Sequence, residues 1–384
     1  MLLLVTGGEE HVSIRLNQNE NPGLIGGGRQ NAHLLVEAWE NHGYIHISGN
    51  EDFKTTAQSE GWPGDGSSPN PYLIDGLNIT SVNRDALSIW YTDVHFQINN
   101  CHLAVFYDEN EPFANPPRGI NFSNVSNAII SNNTIVYSSW GIDLRGCSNI
   151  TFINNNVRVH GDGFDIILSD NIRIVNNTIS NIVHEAITLE SSGNSIISGN
   201  RITYIWGTGI NLQSSWNTHI SNNTILDCVA FLNTEGDGIK LLDSSEIMVS
   251  ENKVSQNNGS GIVISASEQT HVIKNIISKN NGTGINLTSS SVLVINNSVC
   301  NNSAGGMEMS NSIGNTLFGN NVSYNGWDGL FLEDTREIAL SANTITNNGE
   351  TGITLENSGD VKITDNNVTH NHDTGIMLFN CWEN

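Results

Sequence analysis

The sequence predicts an all-β fold, a parallel β-helix solenoid of about 13 coils of 22–23 residues behind an N-terminal cap. Three observations predict it. A Gly, or an Ala in its place, recurs at Gly119, Gly141, Gly163, Ala186, Gly209, Gly238, Gly261, Gly284, Gly306, Gly329, Gly352 and Gly375, in steps of 22, 22, 23, 23, 29, 23, 23, 22, 23, 23 and 23. After each, apolar residues alternate, as in Ile210 and Leu212 or Ile353 and Leu355. That is the strand period, with one side chain facing in and the next facing out. Two further short runs follow in each coil, as in Ile172-Arg173-Ile174 and Thr178-Ile179, so each turn carries three strands. Each strand then pairs with its counterpart one coil on, at about 4.8 Å. Finally, Asn133, Asn155, Asn177, Asn200, Asn223, Asn252, Asn275, Asn297, Asn320, Asn343 and Asn366 hold one point of the repeat. Stacked asparagines bond side chain to side chain as a ladder, and the type tolerates the left-handed backbone of a sharp corner. These Gly, Asn, Ile and Leu positions have a full structural explanation and receive no functional role.

In chain order, residues 1–30 are rich in Gly and Asn with no period and read as loosely ordered. His33-Leu34-Leu35-Val36 reads as a short segment, Tyr44-Ile45-His46-Ile47 as a strand, and Asp52 to Ala57 as a helical turn or two. Because a solenoid's first coil leaves its core open, residues 1–72 are assigned as N-terminal segment and cap, and 73–384 as the repeat domain. Gly61 to Gly76 is an ordered loop whose Tyr72-Leu73-Ile74 leads into the first true coil. Its Asp and Gly suggest calcium, but no calcium-loop spacing is met. Two steps are too long. About ten extra residues fall in the acidic, Pro-rich loop Tyr107 to Pro117, and about six within Leu226 to Asp237. Both precede a Gly-Ile strand and should leave the same edge. The last copy, Gly375-Ile376-Met377-Leu378, runs to Asn384 without a capping segment, so the expectation is a longer protein or a partner covering that end.

Composition excludes several functions. The net charge is −24 with only 15 basic residues, which disfavours nucleic acid and anionic membrane surfaces. Anionic polysaccharide is also repelled unless a local cation or metal intervenes. Cys101, Cys147, Cys228, Cys300 and Cys381 are odd in number and far apart, and read as free cysteines. No stretch is long and apolar enough to span a membrane, and Met1 to Val5 is too short for a signal peptide. About fourteen Asn-x-Ser/Thr sequons, Asn78, Asn149, Asn286 and Asn321 among them, arise largely from the Asn corner itself.

Insertions on a repeat scaffold tend to build its working face. Between the two insertions the outward strand positions are Asn121, Asp143, Asp165, Thr188 and Asn211, whereas later coils put Val263, Phe331 and Met377 there. Asp143 and Asp165 should stack one strand spacing apart, so that one of them keeps its proton to higher pH. Such a pair splits acid and base roles in glycoside hydrolysis or binds a divalent cation. Asp143, Asp162, Asp165, Glu185, His160 and Arg145 are the candidate catalytic set. Trp140, Trp206 and Trp216 offer flat apolar faces for sugars and, with Asn211, His184 and Glu190, form the candidate carbohydrate contacts. The competing reading is that Asp beside Gly binds backbone N–H groups and that a Trp beside a loop packs. His370 and His372 carry only a weak metal spacing; no metal set is assigned, and calcium stays a candidate ligand.

The Gly-Ile-x-Leu strand and the Asn-Asn-Thr-Ile corner resemble those of the right-handed parallel β-helix repeat family, over about residues 73–384. That family includes NosD-like proteins and carbohydrate-binding and sugar-hydrolase domains of surface proteins. Asn70-Pro71-Tyr72-Leu73-Ile74-Asp75-Gly76 is similar to the opening segment of archaeal surface members. The resemblance implies right-handedness and an exported protein, displayed outside the cell, that binds or acts on polysaccharide. Polygalacturonases carry Asn-Thr-Asp, Asp-Asp, Gly-His-Gly and Arg-Ile-Lys; this chain has only Asn233-Thr234-Glu235 and Gly236-Asp237-Gly238. Alginate epimerases carry Tyr-Gly-Phe-Asp-Pro-His, of which Gly163-Phe164-Asp165 remains. Both departures argue against those particular activities, and the copper-site motifs linked to NosD are missing. The expectation is therefore a carbohydrate-interacting module, with a polysaccharide lyase or glycoside hydrolase and a structural spacer as alternatives.

Overall fold

The computed structural model describes residues 39–106, 116–231 and 235–383, with the backbone of residues 13–14 and 36–37. The expectations for residues 1–12 and 15–30, for His33 to Leu35, for residues 107–115 of the first insertion and for Asn233 and Thr234 lie outside the described residues, while Ser13–Ile14 pairs antiparallel with Val36–Glu37. Three parallel sheets wind into a solenoid. The first holds the Gly-Ile strands, from Ile45–Ser48 to Ile376–Phe379; the second runs from Tyr72–Asp75 to Gly359–Thr364; the third runs from Glu40–His42 to Asn367–Thr369. One long strand, Arg118–Ser131, bends from the first sheet into the second. Register is strict: Ile142 pairs with Phe164, that with Ile187, and that with Ile210. The inward Ile, Leu, Val and Phe make one continuous core, each side chain contributing about 1.5–3 kcal/mol.

The first coil begins earlier than Tyr72, because Glu40–His42 and Ile45–Ser48 already pair with Leu77–Val82 and Leu87–Thr92. The predicted turn or two of helix is an 11-residue helix, α1 (Asn50–Glu60), ended by a left-handed Gly61. Its buried Phe53 packs on Tyr72 and Phe96 at 5.1 and 5.0 Å between ring centres, placing aromatic side chains over the N-terminal end of the core. Helix length exceeds the sequence reading because Phe53 and Ala57, four apart, share the buried face.

The corners are held by hydrogen-bonded ladders. Each ladder asparagine donates through Nδ2 to Oδ1 of the next coil's asparagine at 3.0–3.1 Å. The same Oδ1 accepts the backbone N–H of the previous coil's asparagine, and Nδ2 also reaches a carbonyl one coil back, as in Asn223 to Ile197. The buried amide is thereby saturated. Left-handed backbone falls to its neighbour instead. Asn132, Asn154, Asn176 and Asn222 have φ of 55–57°, and Gly199 has 68°. The two tasks expected of one asparagine are divided between adjacent residues.

A second ladder of Ser169, Ser192, Ser215, Ser244, Ser267, Ser290 and Ser312 runs between the first and second sheets, each hydroxyl accepting the N–H one coil before. A third, Asn257, Asn280, Asn302, Asn325, Asn348 and Asn371, starts only in the later coils, between the third and first sheets. Three of the five free cysteines stand at ladder ends: Cys101, Cys147 and Cys228 donate their N–H groups to the first rungs Asn133, Ser169 and Asn257.

Asn223→Ala leaves the Asn200 backbone N–H and one of its two Nδ2 hydrogens buried without an acceptor, the other still donating to the Ile174 carbonyl, at about 1–3 kcal/mol per orphaned group. Chemical denaturation is expected to show a loss of about 3 kcal/mol for Asn223→Ala, and under about 0.5 kcal/mol for Asn222→Gly, whose left-handed backbone Gly accepts freely.

Candidate functional site

The outward row of the first sheet runs in register through Ser88, Asn121, Asp143, Asp165, Thr188, Asn211 and Lys240. Beyond it come Val263, Asn286, Glu308, Phe331, Thr354 and Met377. Polar and charged residues therefore continue past the second insertion, at Lys240, Asn286 and Glu308, and only the stacked aspartates are confined between the insertions. Both insertions do join a third-sheet strand to a first-sheet strand, and so leave one edge.

Asp143 and Asp165 are neighbours, as their spacing predicts. Asp143 is not an exposed carboxylate, however; it is 1% exposed. Arg118 Nε donates to its Oδ2 at 2.5 Å, and Arg145 Nε lies 3.0 Å from its Oδ1. Arg145 also bridges to Asp165 Oδ2 at 3.2 Å. Arginine forks thus separate two carboxylates that would otherwise repel. Burial, then the Asp143 charge, pushes the Asp165 carboxyl above its ordinary range, against the opposing pull of Arg145. Arg118 escaped the sequence reading because the insertion before it hides its phase. It occupies the position just before Gly119, pairs in register with Trp140, and its guanidinium sits 4.8 Å from that ring's centre.

Packing accounts for two of the three tryptophans. Trp140 lies against Arg118 and over Gly161, where a Cβ would come within 2.6 Å of its Cδ1. Trp216 follows its strand rather than preceding it, and its indole covers Gly193. Trp206 is different: it is 55% exposed and its ring centre stands 6.0 Å from Phe231, which lies 5.8 Å from His184. His184 Nδ1 is in turn 3.7 Å from Asp162 Oδ2. Asp162, His184, Phe231 and Trp206 therefore form one continuous chain of contacts. Phe231, on the second insertion, had no repeat position to mark it.

Asp162 has two roles. Its Oδ1 accepts the Glu185 N–H at 3.2 Å. Asp85, Asp237 and Asp328 at the same point of the repeat accept the N–H of Arg118, Ser260 and Thr351. That is the structural task expected of Asp beside Gly. Its second oxygen faces His184. Burial, then the Glu185 charge, pushes its carboxyl up to about 6, with His184 opposing. Asp237, 1% exposed, carries an Oδ2 without a hydrogen-bond partner, and burial raises its pKa too. Asn211 Oδ1 is likewise buried without a partner. His160 and Glu190 are exposed on the surface. Among the described residues, no group of three or more His, Cys, Asp or Glu is placed to hold a metal ion, and no helix is long and apolar enough to cross a membrane.

The comparisons agree with this architecture. The chain belongs to the right handed beta helix region family, whose model matches residues 140–299 and 268–381. No curated protein matches it. Among solved structures it is similar to the periplasmic alginate epimerase AlgG, at 14% identity, 89% of this chain, 84% of that one and a TM-score of 0.51. A mutant of that epimerase reaches a TM-score of 0.59. The catalytic unit of a GH87 alpha-1,3-glucanase from Streptomyces thermodiastaticus matches at 12% identity, 77% of this chain, 62% of that one and a TM-score of 0.51. At such identities the likeness is one of fold.

Two outcomes are expected. Asp143→Ala leaves the largely covered Arg118 without its carboxylate while Arg145 keeps Asp165, and urea unfolding should show a loss of about 1–3 kcal/mol. For Asp162, a folded pKa near 6 against 3.8 means the folded state holds the proton more tightly. Its contribution to stability is full below about pH 4 and is lost as pH rises through about 6. Thermal unfolding followed from pH 4 to 7 should therefore fall less steeply in Asp162→Asn than in the parent.

Proposed function

We propose that the protein is a carbohydrate-binding β-helix module acting outside the cytoplasm, with its site on the edge of the first sheet beside the second insertion. The observation that carries this reading is the continuous group Trp206, Phe231, His184 and Asp162, with Glu185 in the next coil. A half-exposed indole offers an apolar face to the C–H side of a sugar ring. The carboxylates and the imidazole beside it accept and donate hydrogen bonds to hydroxyl groups, the mixture that orients a small polar ligand. Placement outside the cytoplasm is supported by the resemblance of Asn70 to Gly76 to archaeal surface members, and by fold neighbours that include a periplasmic enzyme. The division into an N-terminal segment and cap over residues 1–72, whose Glu40–His42 and Ile45–Ser48 strands already join the solenoid sheets, and a repeat domain over 73–384 is part of the same proposal.

A second reading, a polysaccharide-cleaving enzyme, is favoured by one observation. Asp162 keeps its proton up to about pH 6 beside a second carboxylate, Glu185, which suits a general acid with a neighbouring base. The fold neighbours include an epimerase and a glucanase. In this reading Asp162 protonates the leaving oxygen, while the Arg118–Asp143–Arg145–Asp165 group, already neutralised, positions the chain.

Alginate and α-1,3-linked glucose oligosaccharides, titrated with and without calcium beside assays for new reducing ends and unsaturated products, separate the readings. The module reading expects binding without products, weakened about tenfold by Trp206→Ala, the loss of one stacking contact of about 1–1.5 kcal/mol. Products that disappear in Asp162→Asn would establish the enzyme. A folded protein that binds neither sugar would leave a structural spacer.

A further inference from the structure

The edge that carries Trp206 carries another exposed indole far along the axis. Trp327 is 55% exposed and, like Trp206, lies on the turn that leads from the third sheet into a first-sheet strand. No packing glycine is covered by it, unlike Trp216 over Gly193 and Trp382 over Gly359. Beside it the outward row presents Glu308 and Phe331, paired in register on adjacent coils. The Glu308 side chain lies across Gly305, where a Cβ would come within 2.8 Å of Oε1, so the missing side chain leaves that carboxylate room.

We propose that Trp327, Phe331 and Glu308 form a distal sugar subsite, and that the ligand is a long, uncharged polysaccharide lying along the solenoid axis from Trp206 to Trp327. The proposal rests on the carbohydrate reading of the Trp206 group. Three features select the ligand. The two indoles are separated by the coils at Gly238, Gly261, Gly284 and Gly306, five steps in all. At about 4.8 Å per step this is about 24 Å, the reach of a chain of about five sugar residues. The second insertion leaves this edge beside Trp206, and from Gly238 on to Trp327 no coil carries another, so the edge is regular over the rest of the span. Charge weighs against uronates: beyond Lys240 neither outward row of the first sheet holds a Lys or Arg among the described residues, while Glu308, Glu333 and Glu356 do stand there and outnumber the exposed Lys279 on the edge. An uncharged hexose meets no repulsion and offers hydroxyls to Glu308.

Two anchors on one rigid scaffold make binding length-dependent, because the second contact forms within an existing complex. Calorimetric titration of the full chain with an α-1,3-linked glucose trisaccharide and octasaccharide, and with an alginate octasaccharide, tests this. The parent is expected to bind the glucose octasaccharide at least about tenfold more tightly than the trisaccharide. Trp327→Ala should remove that advantage and leave trisaccharide binding unchanged, whereas Trp206→Ala should weaken both. The distal subsite is overturned if the glucose octasaccharide binds Trp327→Ala as well as the parent. Its uncharged class is overturned if the alginate octasaccharide gains as much from Trp327. If the parent binds none of the three sugars, the carbohydrate reading fails together with the subsite.

Discussion

The amide-to-amide hydrogen bond between successive asparagines is the contact on which the solenoid depends. A strand pair fixes distance along the axis, but a buried corner must also satisfy its own polar groups. The asparagine side chain does this in both directions, accepting twice from the coil before and donating to the coil after and to a carbonyl behind. Each bond is worth only about 0.5–1.5 kcal/mol net. Their effect is nevertheless collective, because losing one rung orphans groups in its neighbours. The same arrangement explains why the buried polar side chains are amides and hydroxyls, with Asp143 and Asp237 the charged exceptions among the described residues.

On that scaffold the outward face is free to vary, and its chemistry is set by which residues happen to share a row. Asp143 lies on the outward side and is almost wholly covered, because Arg118 from one coil before and Arg145 from its own strand fold over it. The Asp165 carboxylate, one coil on, shares the second arginine. Asp162, on the edge, has no arginine and keeps its proton instead. Two neighbouring carboxylate groups thus meet crowding by opposite routes, one by importing positive charge and the other by retaining a proton.

The fold was legible because period, alternation and the Asn corner each report the backbone directly. Pairing register, the inward rows and the ladder follow from the repeat alone, and the Asp143–Asp165 neighbourhood follows from a spacing of 22. The site was legible only in part. Periodicity gives each residue a row but not the length or direction of its side chain. Arg118 covering Asp143, Trp140 lying over Gly161 and Trp216 over Gly193 are matters of side-chain reach. Phe231 and Trp327 were missed for different reasons. The first sits in an insertion with no phase; the second keeps the phase of the repeat but lies four coils beyond the second insertion, where no irregular step marks it. The division of labour between Asn222 and Asn223 was hidden because both are asparagine, a type that suits either task.

The ladders also govern where such a chain can acquire something new. Between the third and first sheets the early coils are closed by Val159, Ile182, Ile205 and Cys228, and the asparagine rungs begin only at Asn257. Both insertions fall before that point, and none falls after it. An apolar corner constrains the chain on one side only, so a loop can bulge outward without breaking a rung. A laddered corner ties every coil to the next, and an extra residue there would put the amides out of step. At that corner the later half can grow only by adding or losing whole coils, and its one single-residue change of length, the step of 22 from Gly284 to Gly306, leaves the rungs Asn280 and Asn302 paired. Variety is left to the earlier half, where single loops can be exchanged while the rest of the molecule keeps its beat.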